Sequence, residues 1–116
     1  MIVCVPIGPG GLVDPAWGRA DQVGIAVVEA GHITDWRTVD VGWGAQRAEG
    51  REGAHHARIA RFLRDNQVEV VVVHHVGEGM VRMLSTMGVT MVPEASGDAR
   101  RAVIDAVTGI DHTPPA

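Results

Sequence analysis

Residues 2–7 (IVCVPI) are apolar without a polar break, the pattern of a short strand covered on both faces. The next stretch, Gly8-Pro9-Gly10-Gly11-Leu12-Val13-Asp14-Pro15, is too rich in glycine and proline to continue helix or strand and reads as a long loop. Gln22 to Glu29 (QVGIAVVE) and Ile33 to Val41 (ITDWRTVDV) have strand character. They flank Ala30-Gly31-His32, where Gly31 can supply the positive φ of a tight turn, so an antiparallel hairpin is expected. Residues 42–53 (GWGAQRAEGREG) combine glycines and charges without apolar periodicity and are expected to be a mobile surface connection.

From Ala54 to Asn66 the period becomes helical: Ile59, Ala60, Phe62 and Leu63 share a face, and Arg58, Arg61, Arg64 and Asp65 lie mostly towards water. Val68 to Val73 is a β-branched run suited to a buried strand. Gly77-Glu78-Gly79 then opens a second helix along Met80, Val81, Leu84 and Met87, which Gly88 ends. Val89 to Val92 is a short strand stopped by Pro93. Gly97-Asp98 precedes a third helix with Ala99, Ala102, Val103, Ala106 and Val107 on one stripe.

The order βββαβαβα predicts an α/β three-layer sandwich, a five-stranded mixed sheet with helices on both faces. Residues 1–108 form one domain in this reading, and 109–116, ending in Pro114-Pro115-Ala116, form a frayed tail. If the first three strands form a meander, the first crossover helix brings the fourth strand parallel to the first. Residues 8–21, 42–55, 74–79 and 93–98 then emerge at the same edge of the sheet. The crevice between the carboxyl ends of strands one and four is where open α/β sheets bind ligands.

Composition narrows the function. At 116 residues with 46% hydrophobic and 21% charged residues, the chain has the size of one globular domain. A net charge of -4 argues against nucleic-acid or anionic-membrane binding. The lone cysteine, Cys4, excludes an internal disulfide framework and a Cys-only metal site, which fits a reducing compartment. The start lacks a basic n-region and no stretch approaches the ~20 apolar residues of a membrane span, so a cytoplasmic location is expected.

Four of the 6 histidines fall at the predicted crevice: His55-His56 at the start of the first helix, His74-His75 at the end of the fourth strand. Imidazole is the commonest side-chain metal ligand, and the positive end of a helix dipole favours its neutral, coordinating form. Neighbouring strand residues point to opposite faces, so at most one of His74 and His75 enters the crevice; His75, nearer the loop, is preferred. The competing reading is that these histidines are hydrogen-bonding caps. His32 and His112 are expected to be solvated.

In Trp17-Gly18-Arg19-Ala20, Gly18 allows close backbone approach and Arg19 offers a charged donor fork for an anion. Alternatively, Trp17 plugs the loop base and Arg19 pairs with Asp14 or Asp21. Gly77 and Gly79 at a helix start can cradle an anion with backbone N–H groups, although a dinucleotide or P-loop fingerprint is incomplete here. Met80, Met83, Met87 and Met91 follow core spacing. Ser85, Ser96 and a buried Cys4 offer no nucleophile in catalytic context, the carboxylates are scattered over loops and element ends, and the first strand has none for two-metal hydrolysis.

The chain resembles the dinitrogenase iron-molybdenum cofactor biosynthesis family, the NifX-like domain also fused to NifB. The resemblance covers about residues 1–108. It rests on Ile2 to Pro6, Trp17-Gly18-Arg19-Ala20 where relatives have Phe-Gly-Arg-Ala, and the glycine- and histidine-bearing loop before the first helix. It also rests on Val76-Gly77-Glu78-Gly79-Met80 followed by Leu84 and Gly88-Val89. It implies a ribonuclease H-like fold without nuclease activity and binding of iron-sulfur, iron-molybdenum or related clusters. The implied surface is Trp17, Gly18, Arg19, the loop ending at His55-His56, and the His74 to Gly79 turn. His74-His75 replace small residues of the relatives, and no cysteine stands at the rim. An anionic cluster carrying its own sulfides would therefore be held by imidazole, Arg19 and backbone amides.

The expected function is a non-catalytic binding or carrier protein for a metal-sulfur cluster or transition-metal ion. His55, His56, His74 and His75 are the candidate ligands, and Trp17, Gly18, Arg19, Gly77 and Gly79 the cofactor contacts. Its partners would be the cluster or ion and a cofactor-assembly or acceptor protein, with the chain a monomer or homodimer. The alternatives are a metal-free regulatory or interaction module, dimeric through the hairpin edge, and a small hydrolase or transferase with a phosphate at the glycine-rich turn and a histidine base.

Overall fold

A computed structural model describes residues 1–48 and 52–111. The strands are β1 (Ile2–Ile7), β2 (Gln22–Glu29), β3 (His32–Asp40), β4 (Val70–Val72) and β5 (Thr90–Val92); the helices are α1 (Trp43–Ala48), α2 (Glu52–Asp65), α3 (Glu78–Met87) and α4 (Ala99–Asp111). The strands form one sheet in the order β3-β2-β1-β4-β5. β1 pairs antiparallel with β2 and parallel with β4, and β5 extends the parallel half. This is the expected mixed five-stranded α/β sandwich.

Strand alternation sends side chains to two separate cores. Cys4, Val23, Ile25, Val71 and Val73 face α2 and α3, where Ile59, Leu63, Met80 and Leu84 are buried. Val3, Val5, Ala26, Val28, Val70 and Val72 face α4 and its predicted stripe of Ala99, Ala102, Val103, Ala106 and Val107. The apolar runs of β1 and β4 are thus unbroken because both faces are covered.

The ends of the elements have local causes. Ala30 and Gly31 both have positive φ, which closes the β2–β3 hairpin in two residues, so β3 begins at His32. Asp98 Oδ2 accepts the Arg101 N–H at 3.0 Å and caps α4. Gly88, at φ 74°, is the left-handed cap of α3. α4 continues to Asp111, into the segment expected as a tail; His112 and the prolines lie outside the described residues.

One expectation changes. Residues 42–53 are not simply a connection, because α1 starts at Trp43, which is buried to 2% exposure. Its indole packs edge-on against Trp17 (centroids 5.0 Å apart) and Phe62 (5.6 Å), and the Trp43 backbone N–H donates to the Ala20 carbonyl at 3.0 Å. One large aromatic therefore anchors a stretch whose glycines read as mobile. Gly44 permits the docking, since a Cβ there would lie 2.8 Å from the Arg19 carbonyl oxygen. The expected antiparallel hairpin carries an irregularity in β3. The register passes from Val27↔Asp35 to Val28↔Ile33, leaving Thr34 as a bulge, with its hydroxyl donating to the Val27 carbonyl at 3.2 Å.

Candidate functional site

The expected crevice forms on the α2–α3 side of the sheet, beyond the carboxyl end of β4. Three segments build it. After the long loop, Asp14 Oδ1 accepts the Ala16 N–H at 2.9 Å, Ala16 bridges to His75, and Trp17–Arg19 coil into a single 3-10 turn. The first turns of α2 supply His55 and His56. The end of β4 runs through His75 and Val76 into Gly77, where α3 begins. Together they wall a cleft of about 400 Å³ lined by Trp17, Gly18, Arg19, His55, His56, His75 and Gly77 to Met80.

The histidines divide by role. His55 is 2% exposed, and its Nε2–H donates to the Gly18 carbonyl at 2.6 Å. That bond ties α2 to the Trp17–Arg19 turn and fixes the tautomer, leaving Nδ1 as a buried nitrogen without a partner. His56 lies against α3, with its Cε1 3.2 Å from where a Gly79 Cβ would stand, so glycine at 79 lets ring and backbone approach. His75 is exposed and lines the same cleft.

His74, expected as a fourth ligand, is not in the cleft. Alternation turns it the other way, where Nδ1–H donates to the Ala95 carbonyl at 3.2 Å. The four-imidazole rim is thereby corrected to three. Among the described residues no group of three His, Cys, Asp or Glu side chains is placed to hold a metal ion. Cys4 lies within β1, fully buried on the side facing α2 and α3, and burial pushes its thiol far above the usual range, so it supplies no thiolate.

Arg19 pairs with neither Asp14 nor Asp21 among the described residues and remains exposed at the rim, whereas Trp17 is buried as a plug against Trp43. α3 starts at Gly77 without a side-chain cap, leaving its first amides free at the cleft. The donor set is therefore imidazole, guanidinium and backbone N–H, which suits an anion or an anionic assembly carrying its own bridging ligands. The methionines of α3 are core: Met80 is buried, and Met83, Met87 and Met91 pack against the same cluster.

A larger cleft, about 840 Å³, lies over Trp36 on the α4 side and gathers Asp14, Asp21, Asp40 and Asp98. Sequence spacing gave no sign of that gathering. Three of these carboxylates have structural work: Asp14 in its turn, Asp98 capping α4, and Asp40 accepting from Gln22 Nε2 at 2.8 Å. Arg100 stacks on Trp36 at 4.7 Å.

The sequence profile of the dinitrogenase iron-molybdenum cofactor family matches residues 1–109. Among solved structures, the apo form of the orange protein from Desulfovibrio gigas is similar at 26% identity and TM-score 0.73, over 99% of this chain and 92% of that one. A NifB-like protein of the DUF35 family from Thermotoga aligns at 21% identity and TM-score 0.67, over 93% and 87% of the two chains. No curated protein matches the chain significantly.

Proposed function

The chain belongs to the dinitrogenase iron-molybdenum cofactor family, and from that premise we propose that it is a non-catalytic binding or carrier protein for a metal-sulfur cluster or metal ion. The cargo sits in the cleft between Trp17–Arg19, α2 and α3, in a cytoplasmic cofactor-assembly or trafficking role, with a donor or acceptor protein as partner. His56 and His75 are its metal ligands. His55 positions the Trp17–Arg19 turn from behind, and Arg19, Gly18, Gly77 and Gly79 contact the cluster's anionic surface.

The observation that carries this reading is the meeting of His55, His56, His75, Arg19 and the α3 amides around one open cleft, although they are distant in sequence. Two imidazoles leave most of a metal's coordination positions to other donors, which suits metals of a cluster that brings its own sulfides better than a bare ion. The openness serves a carrier, because cargo held by few protein bonds is readily handed on.

Reconstitution with iron, sulfide and molybdate tests the reading. Wild-type protein should retain metal through gel filtration, and His56→Ala and His75→Ala should each lose most of it. Equal retention by all three proteins would eliminate the assignment.

A further inference from the structure

β3 closes one side of the sheet, and where it runs out, at Val39 to Val41, an open groove of about 530 Å³ separates it from α2. Val39, Val41, Trp43 and Phe62 give the groove an apolar floor, and Arg58 and Arg61 stand exposed along its α2 wall. Val39, Val41 and Phe62 are only partly buried, so the packing of the domain leaves this face unfinished. Charge here runs against the rest of the chain. The net charge is -4, yet Arg58, Arg61 and Arg64 are all exposed on α2, and the exposed Arg37 of β3 donates to Asn66 just beyond that helix. Of the two acids on the groove, Asp40 is engaged by Gln22, and Asp65 does not reach Arg61. Arg61 has no ion pair among the described residues.

We infer that this groove docks an acidic amphipathic segment of a partner protein, whose apolar side chains fill the floor and whose carboxylates meet Arg58 and Arg61. Charge complementarity selects that occupant. A basic segment would set its cations against the arginine row, and a purely acidic one would leave the apolar floor uncovered. A second copy of the chain fits less well. Among the described residues its exposed large apolar side chains are Met1, Leu12 and Val81, and only Leu12, bridged to Asp98, comes with carboxylates beside it. Seating that patch in the groove would be a head-to-tail contact, which does not close on itself as a twofold dimer does. The inference goes beyond the carrier reading. The groove and the cleft share α2, and Trp43 lies between them with its edge on Trp17, so the partner docks one aromatic ring away from the cleft.

NMR titration of the intact, isotope-labelled protein with a synthetic amphipathic helical peptide of leucine and glutamate tests this. The backbone amides of Val39 to Val41 and Ala57 to Phe62 should shift, together with the Trp43 indole N–H, while that of Trp36 stays in place. Affinity should fall as salt is raised. Arg61→Glu should weaken binding about ten-fold or more, because it sets like charges face to face. Arg82→Glu, which reverses an exposed α3 charge outside the groove, should stay within about two-fold of wild type. Both arginines are exposed, so both variants should keep the wild-type circular dichroism spectrum. A peptide with lysine in place of glutamate should not bind. Failure of the leucine–glutamate peptide to bind, equal binding of the lysine peptide, or equal behaviour of Arg61→Glu and Arg82→Glu overturns the inference. Sedimentation of the protein alone supplies a further check: a dimer that Arg61→Glu dissociates would mean that a second copy covers the face, and would overturn it too. Metal retention is read separately. Peptide affinity should be the same in a His56→Ala/His75→Ala double variant, whose cluster retention tests the cargo reading alone, and a loss of peptide binding there would move the contact into the cleft and overturn the inference.

Discussion

Replacing Trp43 by alanine tests the way the cleft is braced. The indole is 2% exposed and is the middle ring of the Trp17–Trp43–Phe62 stack. Truncating a buried Trp to Ala costs about 3–5 kcal/mol, and an area of roughly 150–250 Å² at about 25 cal/mol per Å² gives a similar figure. For a domain holding about 5–15 kcal/mol this is a large fraction of total stability. With a urea m-value of roughly 1.5 kcal/mol/M, the midpoint should fall by about 2–3 M, followed by far-UV circular dichroism. Trp43→Phe, which keeps an aromatic edge against Trp17, should lose only about 1–2 kcal/mol and provides a folded comparison if the alanine variant does not fold. A loss below about 1 kcal/mol in Trp43→Ala would refute the reasoning, because it would mean that α1 is not docked through this ring.

Two further perturbations address the sheet. At Gly24 an added Cβ would lie 2.6 Å from Trp36 Cζ2 and 2.9 Å from Ile7 Cδ1, so Gly24→Ala should destabilise by about 1–2 kcal/mol in thermal unfolding. In the Gly24→Ala/Trp36→Ala pair most of that steric cost should vanish, and simple additivity would contradict the packing described. Cys4 titrates with a clear sign. Burial raises its thiol above the ordinary value of 9.0, so the folded chain keeps a proton that the unfolded chain releases. Its contribution is complete below pH 9.0 and is lost as pH rises above it, at up to about 1.4 kcal/mol per pH unit. Cys4→Ala should unfold with a flatter alkaline pH dependence than wild type, and superimposable slopes would argue against burial of the thiol.

The sheet and its two cores were legible because β1 and β4 are apolar on both faces and α4 has a continuous small-residue stripe. The crevice followed from topology: once β4 returns parallel to β1, residues 55–56 and 75–79 must meet near its end. What sequence could not supply was the fate of individual polar atoms. Nothing in His55-His56 shows that the first ring is tied to the Gly18 carbonyl while the second faces α3. The loss of His74 to the Ala95 side followed from strand alternation, which had already limited the pair to one entry. α1 was missed for a different reason. Its sequence has no helical period, and only Trp43, an isolated large aromatic in a polar stretch, signalled that the segment had to bury something.

The bulge at Thr34 also governs how the molecule meets copies of itself. β3 is the long outer strand of the sheet, and its free backbone N–H and C=O groups would otherwise form a straight template for a foreign strand. The extra residue bends that border, and the bend is followed by Asp35 and Arg37 on one face, so an incoming strand would lose register and confront fixed charge. The geometry of the hairpin margin thus works against strand-by-strand addition along the longest strand of the sheet.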